Sequence, residues 1–135
     1  MVFVNEVFGA AMALMDELSV TGNAQTRDTQ EYSNRTCAIM NILTAEYSAL
    51  TGGGFLAVEE LEDALIGIPD GYALSVLPYG LAANLLVDEN PTAASFYQQR
   101  YEDMMKKFVS HMPARFEDIT DVYGVSNEYG EFSRW

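Results

Sequence analysis

Residues Tyr72 to His111 decide the fold. The stretch opens on Tyr72-Ala73-Leu74-Ser75, runs through Val76-Leu77-Pro78-Tyr79-Gly80-Leu81-Ala82-Ala83-Asn84-Leu85-Leu86, breaks at Asp88-Glu89-Asn90-Pro91 and resumes as an amphipathic run to His111. Leu77, Leu81, Leu85 and Leu86 recur at helical spacing and supply core bulk, while Gly80, Ala82 and Ala83 leave a shallow strip that a second helix can approach closely. The spacing predicts a helix over about residues 72–88, bent at Pro78, which either kinks it or marks its first turn. Asn90 is a good helix cap and Pro91 suits the first helical position, so the next helix follows after a tight connection that makes the two nearly antiparallel. That helix turns Ala94, Tyr97, Tyr101, Met104, Met105 and Phe108 inward and carries Arg100, Lys106 and Lys107 elsewhere, with the late cations and His111 suited to its C-terminal dipole.

Upstream, Val4, Val7, Phe8, Ala11, Leu14, Met15 and Leu18 follow the i, i+3, i+4, i+7 pattern of an amphipathic helix that stops near Thr21-Gly22-Asn23. Asp28 with Glu31 three positions later reads as a capping box opening a second helix to about Leu50. Its stripe is Tyr32, Thr36, Ile39, Leu43, Tyr47 and Leu50, and Gly52-Gly53-Gly54 ends it. Residues 55–70 read as an ordered loop closed by the turn Ile68-Pro69-Asp70-Gly71. The expected fold is therefore all-α: a small bundle of about four helices over residues 1–112, with an ordered loop between helices two and three. Beyond Met112-Pro113 lies an irregular arm over residues 113–135, rich in Phe116, Ile119, Val122, Tyr123, Tyr129, Phe132 and Trp135 but without helical period. So aromatic a segment reads as one that docks on another surface, and those seven residues are its candidate partner interface.

The chain has 135 residues, 49% hydrophobic and 20% charged, which suits one folded domain and excludes a disordered acidic polymer. Twenty acidic side chains against seven basic ones give a formal charge of −13, which repels phosphate backbones and anionic membranes. Neither a secretory leader nor a membrane span is expected, so synthesis in the cytoplasm follows, and the glycosylation pattern Asn34-Arg35-Thr36 reads as chance.

Catalytic and metal constellations do not emerge. Cys37 lacks a basic partner and reads as a core or boundary thiol. His111 reads as a helix-end cap rather than a base. Glu59, Glu60, Glu62 and Asp63 lack the spacing of a calcium loop and form a solvated acidic face. The pairs Asp88-Glu89 and Glu102-Asp103 are adjacent in sequence and do not converge as paired acid and base groups must. No enzyme, cofactor or metal is expected.

The N-terminal helix pair, the run Val76-Leu77-Pro78-Tyr79-Gly80-Leu81-Ala82-Ala83 leading into Leu85-Leu86, and Phe96-Tyr97-Gln98-Gln99-Arg100-Tyr101-Glu102 together resemble the head-tail connector, or adaptor, proteins of tailed bacteriophages and prophages. The ends Ile119-Thr120-Asp121-Val122-Tyr123-Gly124 and Tyr129-Gly130-Glu131-Phe132 are similar to tails of such proteins. The resemblance implies an all-α homo-oligomer, a ring of commonly about a dozen copies, sitting between the portal protein and the tail or stopper protein of the virion. DNA would pass through the bore without specific binding, and the protein would be made in the bacterial host's cytoplasm. Acidic side chains facing the lumen would keep DNA from adhering, and the arm would bury against portal or neighbour. An acidic helical regulator or DNA mimic that binds a basic partner is the alternative that the charge leaves open.

Overall fold

The computed structural model describes residues 1–110, and the fold they form is all-α. Five helical segments follow in order: α1 (Val4–Leu14), α2 (Gln30–Thr51), α3 (Asp70–Ser75), α4 (Leu77–Leu86) and α5 (Pro91–Ser110). The single helix expected over residues 72–88 is two. α3 closes on Val76, whose N–H donates to Tyr72 O, and α4 starts immediately with Pro78 in its first turn, where the missing N–H leaves no bond unmade.

Helix α4 is the axis of the bundle. It packs on each of the other four helices, most extensively on α5, and Leu77, Leu81 and Leu85 are fully buried with Pro78, Gly80, Ala82 and Ala83. A helix so apolar is covered by its neighbours over most of its circumference, which leaves Asn84 exposed and Tyr79 and Leu86 half-buried. The shallow strip works as expected. A Cβ built on Gly80 would stand 2.9 Å from Tyr101 Cδ1 and 3.0 Å from Leu43 Cδ1, so α2 and α5 approach α4 through that position.

Helix α1 stops earlier than its apolar period implies. Asp16 takes a left-handed conformation (φ 60°), Glu17 N–H donates to Met12 O at 2.8 Å and Asp16 N–H to Ala13 O at 3.2 Å, which closes a Schellman turn. Leu18 therefore falls outside the helix and is exposed, while Met12 joins Val4, Val7, Phe8 and Ala11 in the core.

The capping box expected at Asp28 and Glu31 is not formed. Helix α2 begins at Gln30, and the buried Thr29 hydroxyl turns backwards, accepting from Thr26 N–H and donating to Ala24 O at 2.6 Å. A capping hydrogen bond of that kind occurs instead on α1, where Phe3 N–H donates to Glu6 Oε1 at 2.9 Å. The buried face of α2 adds Met40, Thr44, Ser48 and Thr51 to the predicted stripe, whereas Leu50 is exposed. Thr36, Thr44 and Thr51 remain satisfied in the interior because each hydroxyl donates to the carbonyl four residues back. The glycine stop holds, with Gly52 left-handed (φ 77°) and donating to Ser48 O.

The long connection between α2 and α3 is ordered by backbone pairing. Val4 and Asn5 N–H groups, which as first-turn amides of α1 lack intrahelical partners, donate to Asp63 O (2.9 Å) and Leu61 O (2.8 Å). Leu65 N–H donates to Val2 O, and Phe3 and Ala64 form an isolated antiparallel bridge. Asn41 on α2 clamps the connection from the other side, bonding Val58 through both its amide nitrogen (3.0 Å) and its oxygen (2.8 Å). Val58, Leu65 and Ile68 anchor it to the core.

At the other connection, Asn90 Oδ1 accepts from Ala93 N–H at 3.2 Å and α5 starts on Pro91, as the sequence predicts. Among the described residues no helix is long and apolar enough to cross a membrane.

Candidate interaction surface

Helical register brings three tyrosines inward, and their hydroxyls then cross-link helices. Tyr32 on α2 donates to Glu89 Oε1 beyond α4 (2.8 Å), Tyr97 on α5 donates to the last carbonyl of α1, Leu14 O (2.7 Å), and Tyr101 on α5 donates to Glu46 Oε1 on α2 (2.6 Å). Arg35 on α2 donates to Leu85 O near the end of α4 at 3.3 Å and lies 3.7 Å from Glu31. These polar groups hold helix ends and helix pairs in place. Burial and then the Glu89 hydrogen bond push the Tyr32 hydroxyl up to about 12, and burial followed by the Glu46 hydrogen bond pushes Tyr101 far above its ordinary value.

Tyr72 is the exception. Its fully buried ring lies 4.4 Å from that of Tyr47 and 5.1 Å from that of Phe108, yet its hydroxyl makes no hydrogen bond of good geometry. Burial lifts it to about 12, with the nearby Tyr101 hydroxyl acting in the opposite direction.

Among the exposed apolar side chains, which also include Val20, Ile42, Leu50 and Val87, two groups stand out. The outer face of α4 and α5 carries a cleft of about 450 Å³ lined by Tyr79, Phe96, Gln99, Arg100 and Asp103. Phe96 is 64% exposed, and the Arg100 guanidinium stacks 5.4 Å above the Tyr79 ring.

The second group lies along the α2–α3 connection and α3. Phe55, Leu56, Ile66 and Leu74 are each between 47% and 57% exposed. Gly54 and Gly67 of the connection come close, since a Cβ on Gly67 would meet Gly54 O at 3.9 Å, and Gly67 is left-handed (φ 84°). The sequence around these residues is acidic: from Thr36 to Gln99 the chain has no lysine or arginine, while it carries Glu46, Glu59, Glu60, Glu62, Asp63, Asp70, Asp88 and Glu89, of which Asp70 pairs with the N-terminal ammonium of Met1 at 3.1 Å. That gap in the basic residues is readable in the sequence and escapes any reading by net charge alone.

Glu59, Glu60 and Glu62 are exposed as expected, but Asp63 has a structural task. Its Oδ2 accepts Glu59 and Glu60 N–H at 2.8 and 3.0 Å, which holds its carboxyl below the usual carboxylate range. Among the described residues no cluster of His, Cys, Asp and Glu has the arrangement of a metal site. Cys37 sits half-buried against the core, and burial, reinforced by Asp63, Glu62 and Glu60, pushes its thiol up. That is the opposite of what a reactive thiolate needs. His111 and the predicted docking arm, Phe116 to Trp135, lie outside the described residues. Comparison with protein-family models, curated proteins and solved structures finds no match for the chain.

Proposed function

We propose that this chain is a structural protein that works through protein–protein contact, a subunit of the head-tail connector class that assembles into a ring between portal and tail or stopper. The observation that carries the reading is the set of half-exposed apolar side chains Phe55, Leu56, Ile66 and Leu74 along the α2–α3 connection and α3, within a stretch from Thr36 to Gln99 that has acidic but no basic side chains. Apolar side chains left this exposed along one segment suit a protein contact. A chain stretch of 64 residues without lysine or arginine, in a protein of net charge −13, repels passing DNA, which suits a bore-forming subunit. The interior polar groups support the same reading, because the tyrosine hydroxyls, Asn41 and the α2 threonines are engaged in holding helices and the loop.

Light scattering after size exclusion, on the protein alone and mixed with the portal protein of the same genome, tests it. A ring, or co-elution with the portal, is expected. A monomer that leaves the portal untouched overturns the proposal. The acid-only stretch also favours a second reading, an acidic regulator that mimics DNA, which predicts instead a monomer that binds a basic protein with strongly salt-dependent affinity.

A further inference from the structure

On the outer face of α4 and α5, two opposite charges line one cleft without meeting. Phe96, Gln99, Arg100 and Asp103 follow one another at i, i+3, i+4 and i+7 on α5, and with Tyr79 of α4 they line the cleft of about 450 Å³. Arg100 is the sole lysine or arginine between Thr36 and Met105. Its guanidinium stacks 5.4 Å above the Tyr79 ring, and among the described residues it has neither a hydrogen bond nor an ion pair. Stacking uses the face of the group and leaves its five N–H donors, which lie in its plane, free for an acceptor. Neighbouring acids do not take them: Glu102 accepts from Gln98 Nε2 at 2.9 Å, and Asp103, three residues on, does not pair with Arg100. Phe96, 64% exposed with its ring edge-on to Tyr97 at 5.6 Å, completes the wall. A cation laid flat, an unpaired carboxylate and an exposed ring around one cleft suit a ligand that brings a carboxylate, a donor and an apolar group.

We propose that this cleft receives a segment of a partner protein that offers one carboxylate beside an aromatic or large aliphatic side chain. The carboxylate meets the Arg100 donors, the apolar side chain covers Phe96, and a main-chain N–H of the segment donates to Asp103. Charge selects against other occupants. A net charge of −13, with Asp103 on the rim, repels phosphate groups and runs of acidic residues, so a single carboxylate held among apolar atoms is what the site accepts. Phe96, Gln99, Arg100 and Asp103 are exposed and Tyr79 is half-buried. So open a cleft does not enclose a free small molecule, and it suits a side chain carried on a larger surface. The inference stands apart from the connector reading, since it concerns the chemistry of one contact and not an assembly.

N-acetyl-L-phenylalanine carries the carboxylate, the ring and an amide N–H, and is the probe, titrated into the isotope-labelled full-length protein and followed by nuclear magnetic resonance. Saturable shifts are expected at the Phe96, Gln99, Arg100 and Asp103 amides and at Arg100 Nε–H. Binding should be several-fold weaker for N-acetyl-L-phenylalaninamide, which lacks the carboxylate, and for N-acetyl-L-alanine, which lacks the ring, and added salt should weaken it. Arg100→Gln should abolish the shifts and Arg100→Lys, which keeps the charge but not the planar fork, should weaken binding several-fold. Lys106→Gln, outside the cleft on α5, should change nothing. Far-ultraviolet circular dichroism confirms that each variant keeps its helices. Absence of saturable shifts at these residues overturns the proposal, as does an amide that binds as tightly as the acid or binding indifferent to Arg100→Gln. Several-fold tighter binding of free phenylalanine overturns it in favour of a small amino acid, and tighter binding of inorganic phosphate overturns it in favour of a phosphate group.

Discussion

The ring of Tyr101 occupies the space that a side chain on Gly80 would need. Cδ1 and Cε1 stand 2.9 and 3.0 Å from the Cβ position, and the ring cannot swing away freely because its hydroxyl is bonded to Glu46 across the interface. The close approach of α4, α5 and α2 thus depends on one missing methyl group.

Gly80→Ala should destabilise the protein. Alanine gains about 1 kcal/mol of helix propensity over glycine, but overpacking a core contact costs about 1–3 kcal/mol, and the pinned aromatic ring places this site at the upper end. The expected net loss is about 2 kcal/mol, read as a lower urea midpoint at unchanged slope. A variant as stable as the parent would show that the seam can open.

Tyr72 and Tyr101 should respond oppositely to loss of the hydroxyl. Tyr72→Phe removes a buried group with no good partner and should leave stability equal or raise it by about 1 kcal/mol, whereas Tyr101→Phe breaks the bond to Glu46 and should lower it by about 1 kcal/mol. Thermal unfolding of the two variants side by side decides this, and equal losses would refute it.

Asp16→Gly should stabilise. The left-handed turn that ends α1 imposes a steric cost of about 1–2 kcal/mol on a residue with a Cβ, partly offset by the extra freedom glycine has when unfolded. A gain of about 0.5 kcal/mol is expected in chemical denaturation, with Asp16→Ala giving none.

Alkaline pH should unfold the protein through its buried tyrosines. Tyr32 and Tyr72 ionise near 12 when folded but near 10 when unfolded, and Tyr101 is held higher still by burial and Glu46. A raised folded value means that their contribution is complete below pH about 10 and is lost as pH rises towards the folded values, because the unfolded chain releases those protons first. Tyrosinate absorbance should show a late group of tyrosines rising together with loss of helical circular dichroism. A titration in which every tyrosine ionises near pH 10 while the helices persist would contradict it.

Asn41→Ala should loosen the α2–α3 connection without melting the bundle. Two hydrogen bonds to Val58 disappear, a loss of about 1–3 kcal/mol, while the core around α4 is untouched. Amide exchange at Val58 should accelerate many-fold against little change at Leu81.

The helix-forming stretches were legible because helical periodicity and capping are local. Apolar spacing located α1, α2 and α5, Asn90-Pro91 placed the start of α5, and Gly52 placed the end of α2. Local rules were also where the reading slipped. The period of α1 runs on to Leu18, but a left-handed Asp16 halts it, and the Asp28 and Glu31 pattern of a capping box lost to Thr29 facing backwards. The candidate arm, Phe116 to Trp135, rests on composition and on the resemblance, while the exposure of Phe55, Leu56, Ile66 and Leu74 is not legible, since they share no sequence period.

By itself, then, the sequence determined an acidic all-α chain, its helical stretches and the glycine-alanine strip on α4, because propensity, spacing and side-chain size act over a few neighbouring residues. Tertiary structure alone decided that α4 is the central helix, that Tyr97 closes the end of α1, and that Tyr32 and Tyr101 tie α2 to distant carboxylates. It also decided that the loop carbonyls of Leu61 and Asp63 serve the first amides of α1. Each of those contacts satisfies a polar group with a partner more than fifty residues away, and only the packing of the whole chain chooses among the partners that local rules allow.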